Sequence, residues 1–124
     1  MATKTTPLRN ALADAFGNYW DGGSMEILAA DGTTVLVSFS LGADAFSAAA
    51  DGVVSLAGTP IQAAASATGT ATTARLKDSG GVAQLTGLTV GTSGTDVTID
   101  NTSIASGQTV NLTGFQWTES ATTA

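Results

Sequence analysis

Residues 25–41 read MEILAADGTTVLVSFSL, and they contain the strongest fold signal in the chain. Two apolar segments, 25–30 and 33–41, flank the pair Asp31-Gly32, and such a pair between apolar segments favours a tight hairpin turn. In the second segment the odd-numbered positions carry Val35, Val37 and Phe39, which gives the two-residue period of a strand with a buried face. We therefore expect a β-hairpin at this place.

Strand-like segments with the same period follow as far as residue 118, separated by turns rich in glycine and aspartate. We predict strands over 53–56, 61–68, 70–77, 82–90, 97–99 and 108–118, and a loop over 101–107. The apolar parity of the last strand slips between Leu112 and Phe115, which predicts a β-bulge at Gly114. About seven to eight short antiparallel strands are typical of a β-sandwich or jelly-roll, so we assign residues 24–118 to one mainly β domain.

The predicted core of this domain consists of the inward apolar residues of these strands. They are Ile27, Val35, Val37, Phe39, Leu76, Leu85, Leu88, Val97, Ile99, Val110, Leu112 and Phe115. This set is small for a chain of 124 residues, and small cores are often supplemented by oligomerisation. The sequence therefore predicts self-association.

Residues 1–23 form an N-terminal segment with a helical pattern, and residues 119–124 form a C-terminal tail. Thr6 suits the helix N-cap, Pro7 the first helical position and Gly17 the end, with Gly22-Gly23 as the alternative end. Apolar residues at helical spacing form one stripe, with Arg9, Asn10 and Asp14 elsewhere on the helix; the stripe is Leu8, Leu12, Ala15, Phe16 and Tyr19. Since a short isolated helix is marginal in water, the stripe must be covered. It either packs on its own domain or clasps a neighbouring subunit.

The composition excludes several classes of function. The chain has neither histidine nor cysteine, which rules out disulfides, thiolate zinc sites and catalytic centres that need these residues. Charged residues make up 11% against about 25% in an average protein, and the net charge is −6. The four cationic residues are too few for a duplex-binding surface; they are Lys4, Arg9, Arg75 and Lys77. We expect no enzyme, no cofactor, no small-molecule substrate and no nucleic-acid partner.

No membrane partner is expected either. No apolar run approaches the length of a membrane-spanning helix, and residues 11–16 are too short and too interrupted for a cleaved secretory signal.

The acidic residues predict structure more than chemistry. Asp31, Asp51 and Asp78 lie in predicted turns, where a carboxylate accepts local backbone hydrogen bonds. Asp96 and Asp100 could hold Ca²⁺ from a loop, but their spacing lacks the pattern of a calcium loop, and we expect no metal site.

Arg75 and Lys77 lie two positions apart on a predicted strand and so share one face. A salt bridge to an adjacent acid is favoured there over an anion-binding patch.

Two tryptophans, Trp20 and Trp117, lie near the ends of the folded part. They suit core lids, subunit anchors or sugar-stacking platforms, because tryptophan is enriched where binding energy is concentrated. Together with the helix stripe they form the candidate interface, which comprises Leu8, Leu12, Phe16, Tyr19, Trp20 and Trp117.

The C-terminal half resembles a group of small β-rich proteins of tailed bacteriophages and prophages. The resemblance rests on residues 67–81, ATGTATTARLKDSGG, and residues 89–118, TVGTSGTDVTIDNTSIASGQTVNLTGFQWT. In that group a strand ending in a Lys/Arg-Asp-Ser turn precedes a TVGTSG-Asp hairpin, an Asn-x-Thr/Ser-x-Ile loop and a Gly-x-Thr-Val strand. The extra LTGL at 85–88 departs from the pattern. The resemblance implies a phage product, and small β-rich phage proteins often serve as capsid cement or decoration.

We therefore expect a virion structural protein, made in the host cytoplasm, that stabilises the phage head. Its expected partners are the major capsid protein and its own copies. A tail, fibre or neck component that binds a host glycan is the alternative, because β-sandwiches often carry such sites on their loops.

Overall fold

The structure is a computed structural model that describes residues 3–42 and 45–119. Within these residues the protein is mainly β with one N-terminal helix. The helix is α1 (Thr6–Tyr19), and the strands are β1 (Ser24–Leu28), β2 (Val35–Ser40), β3 (Val53–Ser55), β4 (Ile61–Ala64), β5 (Gly69–Thr70), β6 (Thr73–Lys77), β7 (Ala83–Gly91), β8 (Val97–Ile99), β9 (Ser103–Ile104) and β10 (Thr109–Thr118).

Seven strands form a curled sheet in the order β2-β1-β6-β7-β8-β10-β3, and β4 pairs with β10 as an additional strand. The curl brings β2, at one end of this order, to the segment after β4, since the Ser66 N–H donates to the Leu36 carbonyl oxygen of β2 at 2.8 Å. Strands β5 and β9 form a separate pair. This architecture agrees with the predicted sandwich-like or jelly-roll-like fold with an N-terminal helix.

The prediction that all strands are antiparallel is wrong for one pair. β7 and β8 run parallel, with Val90 beside Val97. The loop between them folds back because the Asp96 carboxylate accepts hydrogen bonds from the N–H and hydroxyl of Thr89, at 3.0 and 3.1 Å. The chain therefore enters β8 in the direction in which it left β7.

The hairpin in residues 25–41 is confirmed, but its turn is longer than the Asp31-Gly32 pair. β1 and β2 are antiparallel, with Ile27 paired to Val37, and the connection spans 29–34. One oxygen of the Asp31 carboxylate accepts from the N–H groups of Thr33 and Thr34, each at 2.9 Å. These amides are therefore withheld from the strand ladder, which shortens both strands.

The second Asp-Gly pair forms the two-residue turn. Ala50 and Val53 exchange both backbone hydrogen bonds, at 2.9 and 3.0 Å. The intervening Asp51 and Gly52 have φ of 51° and 77°. Two successive positive φ angles are the signature of the hairpin turn whose twist matches that of the flanking strands.

The other strand predictions hold with three adjustments. The predicted strand 61–68 is a strand only over Ile61–Ala64. The register of β10 against β8 shifts between Leu112 and Gly114, which confirms the bulge. The predicted strand 70–77 is divided, because the Ala71 N–H donates to Thr102 and the Thr72 N–H to Leu28. The predicted loop 101–107 contains the short strand β9.

The core is larger than the sequence predicts. Most predicted members are buried, while Val35 and Leu85 are half-buried. Met25 and Leu36 were missed and are fully buried. Leu36 lies on the face of β2 opposite Val37, and the segment after β4 covers it, so this strand is buried on both faces.

The Asp31 turn predicts an acid-sensitive contribution to stability. Hydrogen bonds from the Thr34 side chain and backbone, and then from Thr33, lower the pKa of Asp31 to about 2. Since this pKa is lower in the folded than in the unfolded chain, the carboxylate stabilises the fold above about pH 4, and the contribution is lost as the pH falls towards 2. We expect Asp31→Ala to lower the free energy of unfolding at neutral pH, with the deficit shrinking at low pH in urea titrations. A deficit that is independent of pH would contradict this account.

Candidate functional site

Helix α1 contacts the rest of the molecule through three polar side chains between residues 9 and 14 and through an aromatic cluster at its C-terminal end. The Arg9 guanidinium donates from Nη2 to the Asp51 carbonyl oxygen at 2.8 Å and from Nε to the Glu119 carbonyl oxygen at 3.0 Å. These bonds hold the turn at Asp51 and the end of β10, which are far apart in sequence, to one turn of the helix. We call Arg9, Asn10 and Asp14 the polar latch.

The other two latch residues accept hydrogen bonds from the same region. Asn10 Oδ1 accepts from the Gly52 N–H, and Asp14 Oδ1 accepts from the Ala49 N–H, each at 2.7 Å. Both bonds are partly buried, so neither N–H group is readily satisfied by water once its partner is removed. The latch therefore satisfies backbone groups of the 49–52 turn that the sheet leaves unpaired.

Two glycines allow the helix to lie this close. A Cβ on Gly17 would stand 2.9 Å from the Cβ of Phe46, and a Cβ on Gly52 would stand 2.8 Å from the Arg9 guanidinium. Gly17 is buried within the helix and does not end it, which corrects the predicted stop. The N-cap is also one residue earlier than predicted, because the Thr5 hydroxyl accepts from the Leu8 N–H at 3.4 Å.

An aromatic cluster lies at the C-terminal end of the helix. Phe16 stacks on Trp117 with 4.3 Å between ring centroids, and it meets Trp20 and Phe46 edge-on at 5.7 and 5.9 Å. Phe46 continues the cluster to Phe115 at 5.8 Å. Three members of the candidate interface, Phe16, Trp20 and Trp117, therefore contact their own domain.

The opposite side of the helix is apolar and exposed. Leu8, Leu12 and Tyr19 have exposed fractions of 50%, 40% and 52%, and Ala11 and Ala15 beside them are exposed. We call these five residues the outer helix face. It carries no charge, because the two charged residues of α1, Arg9 and Asp14, point to the domain. Elsewhere in the described chain, Val82 is the other exposed large hydrophobic residue.

The sequence predicted the helix and its apolar stripe but left open whether the stripe packs on its own domain or on a neighbouring subunit. A surface helix usually turns its apolar stripe to the core, whereas α1 buries the side that holds Asn10, Ala13 and Gly17. The spacing of these small and polar residues at i, i+3 and i+7 indicates the side on which the helix backbone lies close to its own domain. The apolar stripe is consequently divided, with Phe16 at the cluster and Leu8, Leu12 and Tyr19 at the surface.

Every cationic side chain has an intramolecular partner. Arg75 Nε and Lys77 Nζ both bind the carboxylate of Glu26 on the neighbouring strand, at 2.7 and 3.4 Å, which confirms the predicted salt bridge. Lys4 pairs with Glu119 at 3.4 Å. Arg9 is held by the latch bonds to two carbonyl groups.

The two acids considered for calcium serve different loops. Asp96 binds Thr89, as described above, while the Asp100 carboxylate accepts from the side chain and backbone N–H groups of Asn111 at 2.7 and 3.1 Å. The Asn111 side-chain bond lowers the pKa of Asp100. Asp78 accepts from the N–H groups of Gly80 and Val82, which confirms its turn role. No group of three metal-binding acids occurs among residues 3–42 and 45–119.

A polar groove lies on the outer face of the sheet where β8 meets β10. It has a volume of about 370 Å³, and its lining includes Asp96, Thr98, Gly114, Gln116 and Thr118. Carboxylate, amide and hydroxyl groups of this kind can hydrogen-bond a polar ligand. Neither tryptophan lines it: Trp20 is 3% exposed, and Phe16 covers one face of Trp117.

The latch can be tested by the same substitution at two positions of α1. Asn10→Ala leaves the partly buried Gly52 N–H without its acceptor and should lower the free energy of unfolding by about 1–2 kcal/mol. Asn18→Ala, at an exposed position of the same helix, is the matched control and should be neutral or slightly stabilising. Urea unfolding measures both, and equal effects at the two positions would show that the latch contributes nothing.

The close approach at Gly17 gives a second test. Alanine is a better helix former than glycine by about 1 kcal/mol, yet Gly17→Ala should destabilise because its Cβ would press against Phe46. Gly42→Ala meets open space and serves as the control, with little loss expected. Melting temperatures compare the two, and a more stable Gly17→Ala variant would refute the contact.

Comparison with known proteins identifies no relative of this chain. No family model, no curated protein and no solved structure matches the chain. In the part of the chain that the structure describes, no helix combines the length and the apolar character needed to cross a bilayer. The outer helix face is therefore the candidate site, identified by its geometry.

Proposed function

We propose that the chain is a virion structural protein of the capsid cement or decoration type, which binds its neighbours through the outer helix face. The observation that carries this proposal is the reversed helix, in which polar residues face the domain and large apolar residues face outward. A helix that is held by polar contacts can keep its apolar side free for another protein. The expected partners are the major capsid protein and further copies of this chain, within particles assembled in the host cytoplasm.

The energetics of the face suit repeated contacts. Full burial of a leucine or similar side chain stabilises by about 1.5–3 kcal/mol, and the exposed portions of Leu8, Leu12 and Tyr19 leave roughly half of that gain available. Such a contact is modest in one copy. In a particle it is repeated many times, so modest single affinities combine into high avidity.

The face is also presented rigidly. The latch holds one end of α1, and the stacking of Phe16 on Trp117 holds the other. A preorganised surface loses little conformational entropy when it binds. The resemblance of residues 67–81 and 89–118 to phage proteins supports the particle setting.

Incorporation into particles tests the proposal. The pair of substitutions Leu8→Gln and Leu12→Gln removes the apolar surface while keeping good helix formers, and it should reduce the number of copies per purified virion by about tenfold or more. Val82→Gln, at the other exposed hydrophobic position, is the control and should incorporate normally. Quantitative mass spectrometry of virions gives the copy number. Absence of the wild-type chain from particles, or normal incorporation of the helix variant, would refute the proposal.

A host-glycan-binding tail, fibre or neck component is the second candidate, and the polar groove favours it. The hydroxyl, amide and carboxylate groups there suit a polyhydroxylated ligand. A glycan array measures binding directly, and Gln116→Ala should abolish a signal that arises in the groove. No signal for the wild type would remove this candidate, as would a copy number in the hundreds.

A further inference from the structure

We infer that the outer helix face binds the same face of a second copy of this chain, with the two α1 helices antiparallel about a two-fold axis. The inference names the partner of the surface used in the proposed function, and it therefore rests on that proposal. Its support is the shape and the charge distribution of the face.

The outer helix face contains both a ridge and a groove. Leu8 and Leu12 form a row at i, i+4 spacing, and Ala11, Ala15 and Tyr19 form the neighbouring row. Helices pack by placing the side-chain ridge of one into the groove of the other. The leucine row of one copy fits over the two alanines of the other, and a two-fold axis makes the reverse contact at the same time. The surface is therefore complementary to itself.

The charge distribution fits a second copy. With a net charge of −6, two copies repel each other wherever charged surfaces meet. The outer helix face avoids this cost because Arg9 and Asp14 are bound to backbone groups of their own domain. The second copy brings an equally uncharged surface, so no charge has to leave water without a partner.

The area of the face sets the strength of the contact. Leu8, Leu12 and Tyr19 expose only about half of each residue, so a pair of these faces buries less than the roughly 1,200 Å² of specific stable interfaces. The pair is therefore weak in dilute solution. It becomes populated where copies are held side by side, as on the particle surface of the proposed function, because a high local concentration favours pairing.

The purified full chain allows a direct test. Sedimentation equilibrium up to about millimolar protein should show a weak dimer, and Ala15→Glu should weaken it by about tenfold or more by placing like charges across the axis. Ala15 is exposed, so this variant keeps the fold, which far-UV circular dichroism verifies. Val82→Glu adds the same charge elsewhere and should leave the dimer unchanged. A strictly monomeric wild type, or equal effects of the two substitutions, would overturn the inference.

Cross-linking locates the contact, since the chain has no cysteine of its own. Ala15→Cys treated with a short bis-maleimide should give several times more dimer than Val82→Cys at the same concentration. Equal yields would overturn the proposed pairing.

The two proposals fail in different ways. If Ala15→Cys cross-links at the control level while Leu8→Gln and Leu12→Gln still abolish incorporation, then the outer helix face binds another protein. The self-pairing is then wrong, and the structural function stands. If the dimer forms in solution but the helix variant enters particles normally, the structural function of the face is wrong.

Discussion

The contact between the polar latch and the 49–52 turn determines how helix α1 is rotated against the β-domain. A helix that docked through Leu8 and Leu12 would lie at a different rotation, and its polar residues would face solvent. The backbone N–H groups of Ala49 and Gly52 decide between these arrangements, because they need acceptors that the sheet does not supply. Asn10 and Asp14 supply them, and the positions of the aromatic cluster and of the outer helix face follow from that rotation.

Hydrophobic periodicity predicted the β-domain well, because burial in a sheet depends on the pattern of each strand. The pairs β1–β2 and β6–β7 join strands that follow each other in sequence, and both lie where the alternation and the turns place them. The bulge at Gly114 followed from the same parity argument. Where the pattern failed, as at Leu36, burial came from a segment more distant in sequence that covers the second face.

The candidate site was harder to predict because specific hydrogen bonds and the aromatic contacts of Phe16, rather than the apolar stripe as a whole, orient the helix. Leu8, Leu12 and Tyr19 were identified as candidate interface residues, but a stripe alone does not say whether it faces inward or outward. The bond from Arg9 to Asp51 joins residues 42 positions apart, and no local pattern encodes it. A turn with two positive φ angles at Asp51 and Gly52 orients the backbone groups that receive the latch, and such orientation is visible only in three dimensions.

The position of β10 in the sheet has a consequence for folding kinetics. This strand pairs with β3, β4 and β8, so β3 and β4 find their strand partner, and β8 its second one, only when residues 109–118 are available. Trp117, which lies in the same strand, completes the aromatic cluster. Glu119, directly after the strand, accepts the hydrogen bond from Arg9. During synthesis the earlier strands emerge first and must wait with unpaired edges, which is the state in which β-rich chains aggregate. Pairing across such long stretches of sequence also makes the closure of the sheet slow relative to the formation of the β1–β2 hairpin.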